Sequence, residues 1–145
     1  MDASEYDLIV IGAGPVGENV ADRAVQGGLT AVIVEAELVG GECSYWACMP
    51  SKTLLRPVAA LRAARAVPGA ATAVTGGVDV AATLRSRDAI VHEWNDAGQV
   101  GWLEGAGIDL VRGHGRLDGE RRVRVEASDG TERVLTARHA VAVCT

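Results

Sequence analysis

The sequence predicts an α/β fold: a parallel sheet with helices packed on it and a small antiparallel β-meander near its end. Three observations predict it. Short apolar, β-branched runs at residues 6–11, 30–34 and 107–111 alternate with helical patterns. The first run passes through a glycine turn into a helix and then into the second run, which makes one βαβ unit. Residues 121–136 alternate charged and apolar side chains around the turn Ser128-Asp129-Gly130, as an antiparallel pair does.

Each element has a local reason. The run 6–11 stops at Gly12. A helix is expected over 15–26, opened by Pro15 and closed by Gly27 and Gly28. Residues 30–34 read as a second buried strand ended by Glu35, and 37–47 as a loop. Leu54, Leu55, Val58 and Leu61 recur on one side, which predicts a helix over 50–67. The Ala-, Thr- and Gly-rich stretch 68–77 reads as a surface connection. One further helix is expected over 80–104, broken near Gly98 and Gly101. A third buried strand follows over 107–111, and His114 falls in a turn. Residues 121–126 and 132–136 are the two arms of the meander, and 139–144 is a separate apolar strand returning to the sheet.

Composition narrows the class. The chain is 48% hydrophobic and has no Phe, so Val, Leu, Ile and Ala must build the core. A net charge of −5 argues against nucleic acid or an anionic membrane as the main partner. Residues 1–6 lack a basic leader pattern, and the run 8–11 is too short to span a bilayer. A soluble, reducing, cytoplasmic setting is expected. Three cysteines in such a setting are not a structural disulfide framework.

Gly12-Ala13-Gly14-Pro15-Val16-Gly17 matches G-x-G-x-x-G directly after a strand and at the opening of a helix. Gly12 permits the tight turn, Gly14 lets a pyrophosphate approach the backbone, and Gly17 allows close helix–strand packing. The helix N-terminus, with Pro15 at its start, offers N–H groups and a positive dipole end to phosphates. Glu35 stands 18 residues after Gly17, where it would accept ribose hydroxyls and repel a 2′-phosphate. The motif alone leaves FAD and NAD both open.

Cys43 and Cys48 lie five apart, followed by Met49-Pro50-Ser51-Lys52. In a regular helix such residues have Cα atoms about 8.6 Å apart, beyond the ~7 Å a disulfide tolerates. A bridge between them therefore requires distorted backbone at the start of the helix. A readily reduced bond there would suit thiol–disulfide exchange, and a helix N-terminus would favour the thiolate. Zinc is the rival reading, but His92, His114, His139 and Cys144 offer no second ligand pair at zinc spacing, so no metal is expected. Inert buried cysteines are the third reading.

Residues 8–17, Glu35 and the run 40–52 resemble the first part of the pyridine nucleotide-disulfide oxidoreductases, a family that includes dihydrolipoamide dehydrogenase and glutathione, mycothione and mercuric reductases. The resemblance extends along essentially the whole chain. It implies a Rossmann-like FAD/NAD(P)-binding domain, incomplete here, with FAD as cofactor and NAD(P)H as co-substrate. Cys43 and Cys48 would be a redox-active pair, Cys43 meeting the substrate and Cys48 lying beside the flavin, with Lys52 at the flavin edge. Gly12, Gly14, Pro15, Gly17 and Glu35 would bind the ADP half of FAD, with Gly41 and Glu42 near the pyrophosphate. Gly115 would lie against the adenine, and Thr145 would help close the site. Departures from the family pattern are Glu42 in place of Thr, Ala47 in place of Gly, the bulky pair Tyr45-Trp46, and Cys144 in place of Ala.

The resemblance also implies a homodimer acting on a small-molecule or protein disulfide or dithiol. Residues 1–145 would be the N-terminal part of the FAD-binding domain, without the NAD(P)-binding and C-terminal dimerisation domains. Two other readings stand beside this one. One is an incomplete, non-catalytic FAD-binding fragment. The other is an NAD-binding dehydrogenase domain, which leaves the cysteine pair unexplained.

Overall fold

The computed structural model describes residues 5–145, which divide into two compact units, residues 5–41 with 96–145 and residues 42–95. The first unit holds the sheet. Strand β1 (Glu5–Ile11), helix α1 (Pro15–Gln26) and strand β2 (Ala31–Glu35) form the expected βαβ unit, with β1 and β2 parallel. Gly27 caps α1, and the Gly28 N–H then reaches the Val25 carbonyl at 2.9 Å.

Helix α2 (Gly41–Tyr45) opens within the stretch read as a loop, and α3 follows at Cys48–Ala66. A five-residue helix carries too little periodicity to be read from a pattern. In the second unit α3 packs against α4 (Val80–Ile90), whose first turn is capped by Asp79 accepting from the Ala82 N–H at 2.9 Å. The connection contains a short 3₁₀ turn at Ala71–Ala73. Leu54, Leu55 and Val58, which recur on one side of α3, are exposed, Leu55 at 68%.

The single helix expected over 80–104 is two helices. The chain leaves α4, makes a turn at His92–Trp94, and re-enters helix as α5 (Ala97–Ala106). Gly98 and Gly101 lie inside α5, so the break precedes them. Asp96 explains its place. Its carboxylate accepts from the Val39 N–H at 2.8 Å and pairs with Arg112, which also donates to the Glu37 carbonyl at 2.6 Å. Burial works against its charged form, but the bonds from Arg112 and Val39 outweigh it and hold the carboxyl below the usual range.

Strand β3 (Asp109–Arg112) is an edge strand with Val111 as its buried residue, rather than a fully buried strand. His114 is not in a turn but opens β4 (His114–Leu117), which pairs antiparallel with β5 (Arg122–Glu126). The second arm of the meander and the returning strand are one element, β6 (Glu132–Val143). Its first half pairs antiparallel with β5 and its second half parallel with β1. The polar stretch at Arg138 and His139 hid that continuity. The order is β3-β2-β1-β6-β5-β4.

Period-2 alternation divides the core of this unit. Ile9, Ile11, Val32 and Val34 face a cluster completed by Val123, Val125 and Leu135 of the meander. Val10, Ala31 and Ile33 face the other way, onto Ala21 of α1 and Leu103 of α5. The sheet is thus covered by helices on one face and by the folded-back meander on the other. No helix among the described residues is long and apolar enough to cross a membrane.

One polar cluster ties the strand ends together. Asp7 accepts from Arg138 Nε at 2.7 Å and from the Thr30 N–H and hydroxyl at 2.8 and 2.9 Å. Chiefly the Arg138 bond, then those from Thr30, hold the Asp7 carboxyl far below the ordinary aspartate range. A depressed carboxylate stabilises the fold above its unfolded-state pKa and loses that contribution as pH falls through its folded value. Asp7→Asn should therefore lower the melting temperature near pH 7. The gap to wild type should narrow steadily below about pH 4. Thermal melts across pH 2–8 check this; a gap independent of pH would show that the carboxylate charge is not the cause.

Candidate functional site

The glycine turn sits where β1 enters α1. Gly12 has φ 101°, and a Cβ there would stand 2.7 Å from the Cys144 carbonyl oxygen. That close approach is fixed by the Cys144 N–H, which donates to the Ile11 carbonyl at 2.8 Å. It brings Thr145 to the turn: its nitrogen is 3.3 Å from the same position. Gly17 is tighter still, since its Cβ would fall 1.9 Å from the Gly12 carbonyl oxygen. Gly14 is the opposite case, with nothing within 4 Å of a Cβ. It is the cap of α1, makes no side-chain cap bond, and is followed by Pro15. The first-turn N–H groups therefore lie beside open space with no side-chain acceptor from the cap residue.

Gly41 backs this turn. It has φ 58°, and a Cβ there would meet Gly14 Cα at 2.8 Å. The Gly40 N–H donates to the Ala13 carbonyl at 2.8 Å, so the segment after β2 is laced to the turn. Glu35, at the end of β2, accepts from the Ala13 N–H at 2.7 Å and the Glu37 N–H at 2.8 Å. The carboxylate thus braces the glycine turn as well as standing at the strand end. Gly115 of β4 lies over the core: its Cβ would meet Val34 Cγ1 at 3.0 Å and Ile11 Cγ2 at 3.3 Å. Its lack of a side chain lets β4 close on the sheet.

Glu18, in the first turn of α1, was not singled out by its sequence context. Burial pushes its carboxyl up, and Oε1 is buried with no hydrogen-bond partner among the described residues.

The second unit holds Cys43 and Cys48. Cys43, in α2, and Cys48, the first residue of α3, are joined by a disulfide with Cα atoms 4.5 Å apart. The required distortion is visible between the helices. Ala47 has φ −118° and ψ −84°, outside helical geometry, and its N–H turns back to the Glu42 carbonyl at 2.6 Å. Glu42 itself lies in the first turn of α2. Cys48 begins a 19-residue helix, so the helix dipole favours negative charge on its sulfur once the bond is reduced. Lys52 is exposed and four residues on, on the same helical face as Cys48. Cys144 is the free cysteine and is partly buried. Among the described residues no group of three His, Cys, Asp or Glu could hold a metal ion.

Sequence reasoning noted Trp46 but missed its partner. The Trp46 and Trp94 rings lie 6.0 Å apart, centroid to centroid, and the Arg87 guanidinium sits 5.3 Å from the Trp94 centroid. The only available signal was that the chain has three tryptophans and no Phe.

Residues 6–142 match the family model described as pyridine nucleotide-disulphide oxidoreductase. Dihydrolipoyl dehydrogenase 3 of Pseudomonas putida is 38% identical over 144 residues, 94% of this chain and 30% of that protein. Mercuric reductase of Staphylococcus aureus is 30% identical over 131 residues, 89% of this chain and 24% of that protein. The chain therefore spans less than a third of the length of these curated relatives. The HOCl-induced flavoprotein disulfide reductase RclA of Escherichia coli, solved as a Cu(II) complex, superposes with a TM-score of 0.77. That match covers all of this chain and 29% of RclA at 18% identity, and it shows the Rossmann-like fold. A strand–glycine turn–helix cradle and a cysteine pair bridged at a helix start, in a chain matched over residues 6–142, identify a member of the pyridine nucleotide-disulphide oxidoreductases.

Proposed function

We propose that this chain supplies the flavin cradle and the redox-active disulfide of an FAD-dependent, NAD(P)H-linked disulfide oxidoreductase. The Cys43–Cys48 bond at the start of α3 carries the reading. It is five residues in span, set where a helix dipole stabilises the emerging thiolate, and followed by a lysine on the same face.

The residues of the first unit fit a dinucleotide. Gly14 leaves open space above the start of α1, and Gly12, Gly17 and Gly41 permit the close packing that shapes it. In this reading first-turn N–H groups take the pyrophosphate beyond Pro15, and Glu35 accepts from the ribose. Gly115 and Thr145 border the same cofactor. Bound FAD would supply two-electron exchange between the nicotinamide nucleotide and the disulfide. Cys43 would exchange with a small-molecule or protein disulfide or dithiol, Cys48 would resolve the mixed disulfide, and Lys52 would add positive charge near the flavin edge. Nicotinamide-binding and dimerisation domains would come from sequence outside these 145 residues, in a cytoplasmic homodimer. The relatives' greater length supports the further domains.

The same shortfall in length favours a second reading, a flavin-binding piece that does not turn over. Thiol counting separates the two. The oxidised chain should offer one alkylatable thiol, Cys144, and the reduced chain three. The full-length protein carrying this chain, purified with visible flavin absorbance, should gain two thiols on addition of NAD(P)H. Flavin absorbance with no gain would favour the non-catalytic reading. Three thiols under mild oxidation and no flavin would refute the proposal.

A further inference from the structure

Three consecutive residues of the second unit, His92, Glu93 and Trp94, have φ of 50°, 52° and 59°. Each is an L-residue in the left-handed region, which sterics disfavour and which is seldom occupied in runs. Two short backbone bonds hold the turn: Trp94 N–H to the Val91 carbonyl and Asn95 N–H to the His92 carbonyl, both 3.0 Å. The chief product of the turn is the position of the Trp94 ring. One neighbour is Trp46, 6.0 Å away and tilted by 32°. Another is the Arg87 guanidinium, itself held by Asp88 at 2.5 Å. Both separations lie within the attractive range for ring pairs and for cations over rings. Trp46 belongs to the loop that the Cys43–Cys48 bond closes.

We propose that Trp94 is a positioning residue for the disulfide, gripping Trp46 and thereby favouring the closed, oxidised form of the 43–48 loop. The proposal rests on reading the pair as a redox centre. The closed loop holds the two Cα atoms at 4.5 Å and breaks the helix at Ala47. An uninterrupted helix would hold them about 8.6 Å apart. Reduction removes the tether, so the 43–48 loop is free to open and carry Trp46 away from its partner. A contact made in one state and lost in the other shifts the equilibrium toward the first by its differential strength.

Equilibration with dithiothreitol tests this on the full chain. A reagent thiolate attacks one protein sulfur, which releases the other as a thiol. The second reagent thiol then displaces the first protein thiol and leaves cyclic oxidised reagent, a two-electron exchange. Quenching by alkylation gives the dithiol fraction. Trp94→Leu should shift the equilibrium toward the dithiol by roughly three- to tenfold, while Trp94→Phe, which keeps a ring, should stay within about twofold of wild type. An unshifted, folded Trp94→Leu overturns the inference. If that variant fails to fold, Trp46→Leu removes the same contact from the other side, and its shift or lack of one decides the matter. Normal wild-type titration with an unshifted variant sinks only the role of Trp94. A wild-type chain whose two thiols never pair sinks the redox reading as well.

Discussion

Cys43→Ser is expected to lower disulfide turnover by the enzyme carrying this chain by at least about a thousandfold, and Cys48→Ser equally. Each sulfur needs the other. With Cys43 gone, no bridge can form, and the electrons that a bond between two sulfurs would accept have nowhere to reside as a pair. With Cys48 gone, Cys43 can still attack a substrate disulfide, but the mixed disulfide has no neighbour to resolve it. The 4.5 Å Cα separation makes that resolution intramolecular, and intramolecular attack is what raises the effective thiol concentration above that of thiols in solution. Alkylation should find two thiols in either variant without prior reduction, Cys144 and the orphaned partner. Flavin content should match wild type, because neither sulfur belongs to the glycine cradle. A variant that retains more than about a tenth of wild-type turnover would show that exchange runs through other groups.

How much of this was legible before the structure follows from where each constraint resides. The βαβ start was legible because its rules are local: an apolar run, glycines at fixed offsets, Pro15 at the helix start and Gly27-Gly28 at its end. The cysteine spacing also predicted a backbone break, and the break is there at Ala47. The failures have non-local causes. Helix α2 begins at Gly41, whose left-handed φ accompanies close approach to Gly14, and no pattern within 37–47 records that contact. The end of α4 is set by a left-handed turn of ordinary residues, where sequence rules look for glycine, so the sequence points to Gly98 and Gly101 instead. Strand β6 was divided because its two halves serve different neighbours, β5 antiparallel and β1 parallel, and its polarity changes between them. The position of Glu35 gives the expectation of a ribose acceptor, whereas its bonds to Ala13 and Glu37 are visible only in three dimensions.

Gly14 and Gly17 belong to one motif, and their substitution should separate ligand binding from folding. Gly17→Ala is expected to destabilise the fold by on the order of 3–5 kcal/mol, through overpacking of a buried backbone contact. Its Cβ would stand 1.9 Å from the Gly12 carbonyl oxygen and 3.2 Å from Val10 Cγ1, and a carbonyl in a tight turn cannot swing aside as a flexible side chain can. Gly14→Ala meets no such obstacle, having nothing within 4 Å of its Cβ and φ of −74°, which alanine adopts freely. Its effect on stability should stay within about 1 kcal/mol. The same methyl would occupy the open space above the first turn of α1, where close backbone approach is needed for a pyrophosphate to reach the N–H groups. Gly14→Ala should therefore weaken FAD binding by at least about tenfold while melting like wild type. Denaturant titration and flavin fluorescence on the two variants read these outcomes separately. A stable Gly17→Ala would contradict the packing, and a Gly14→Ala chain that binds FAD like wild type would mean that the open space is not the pyrophosphate site.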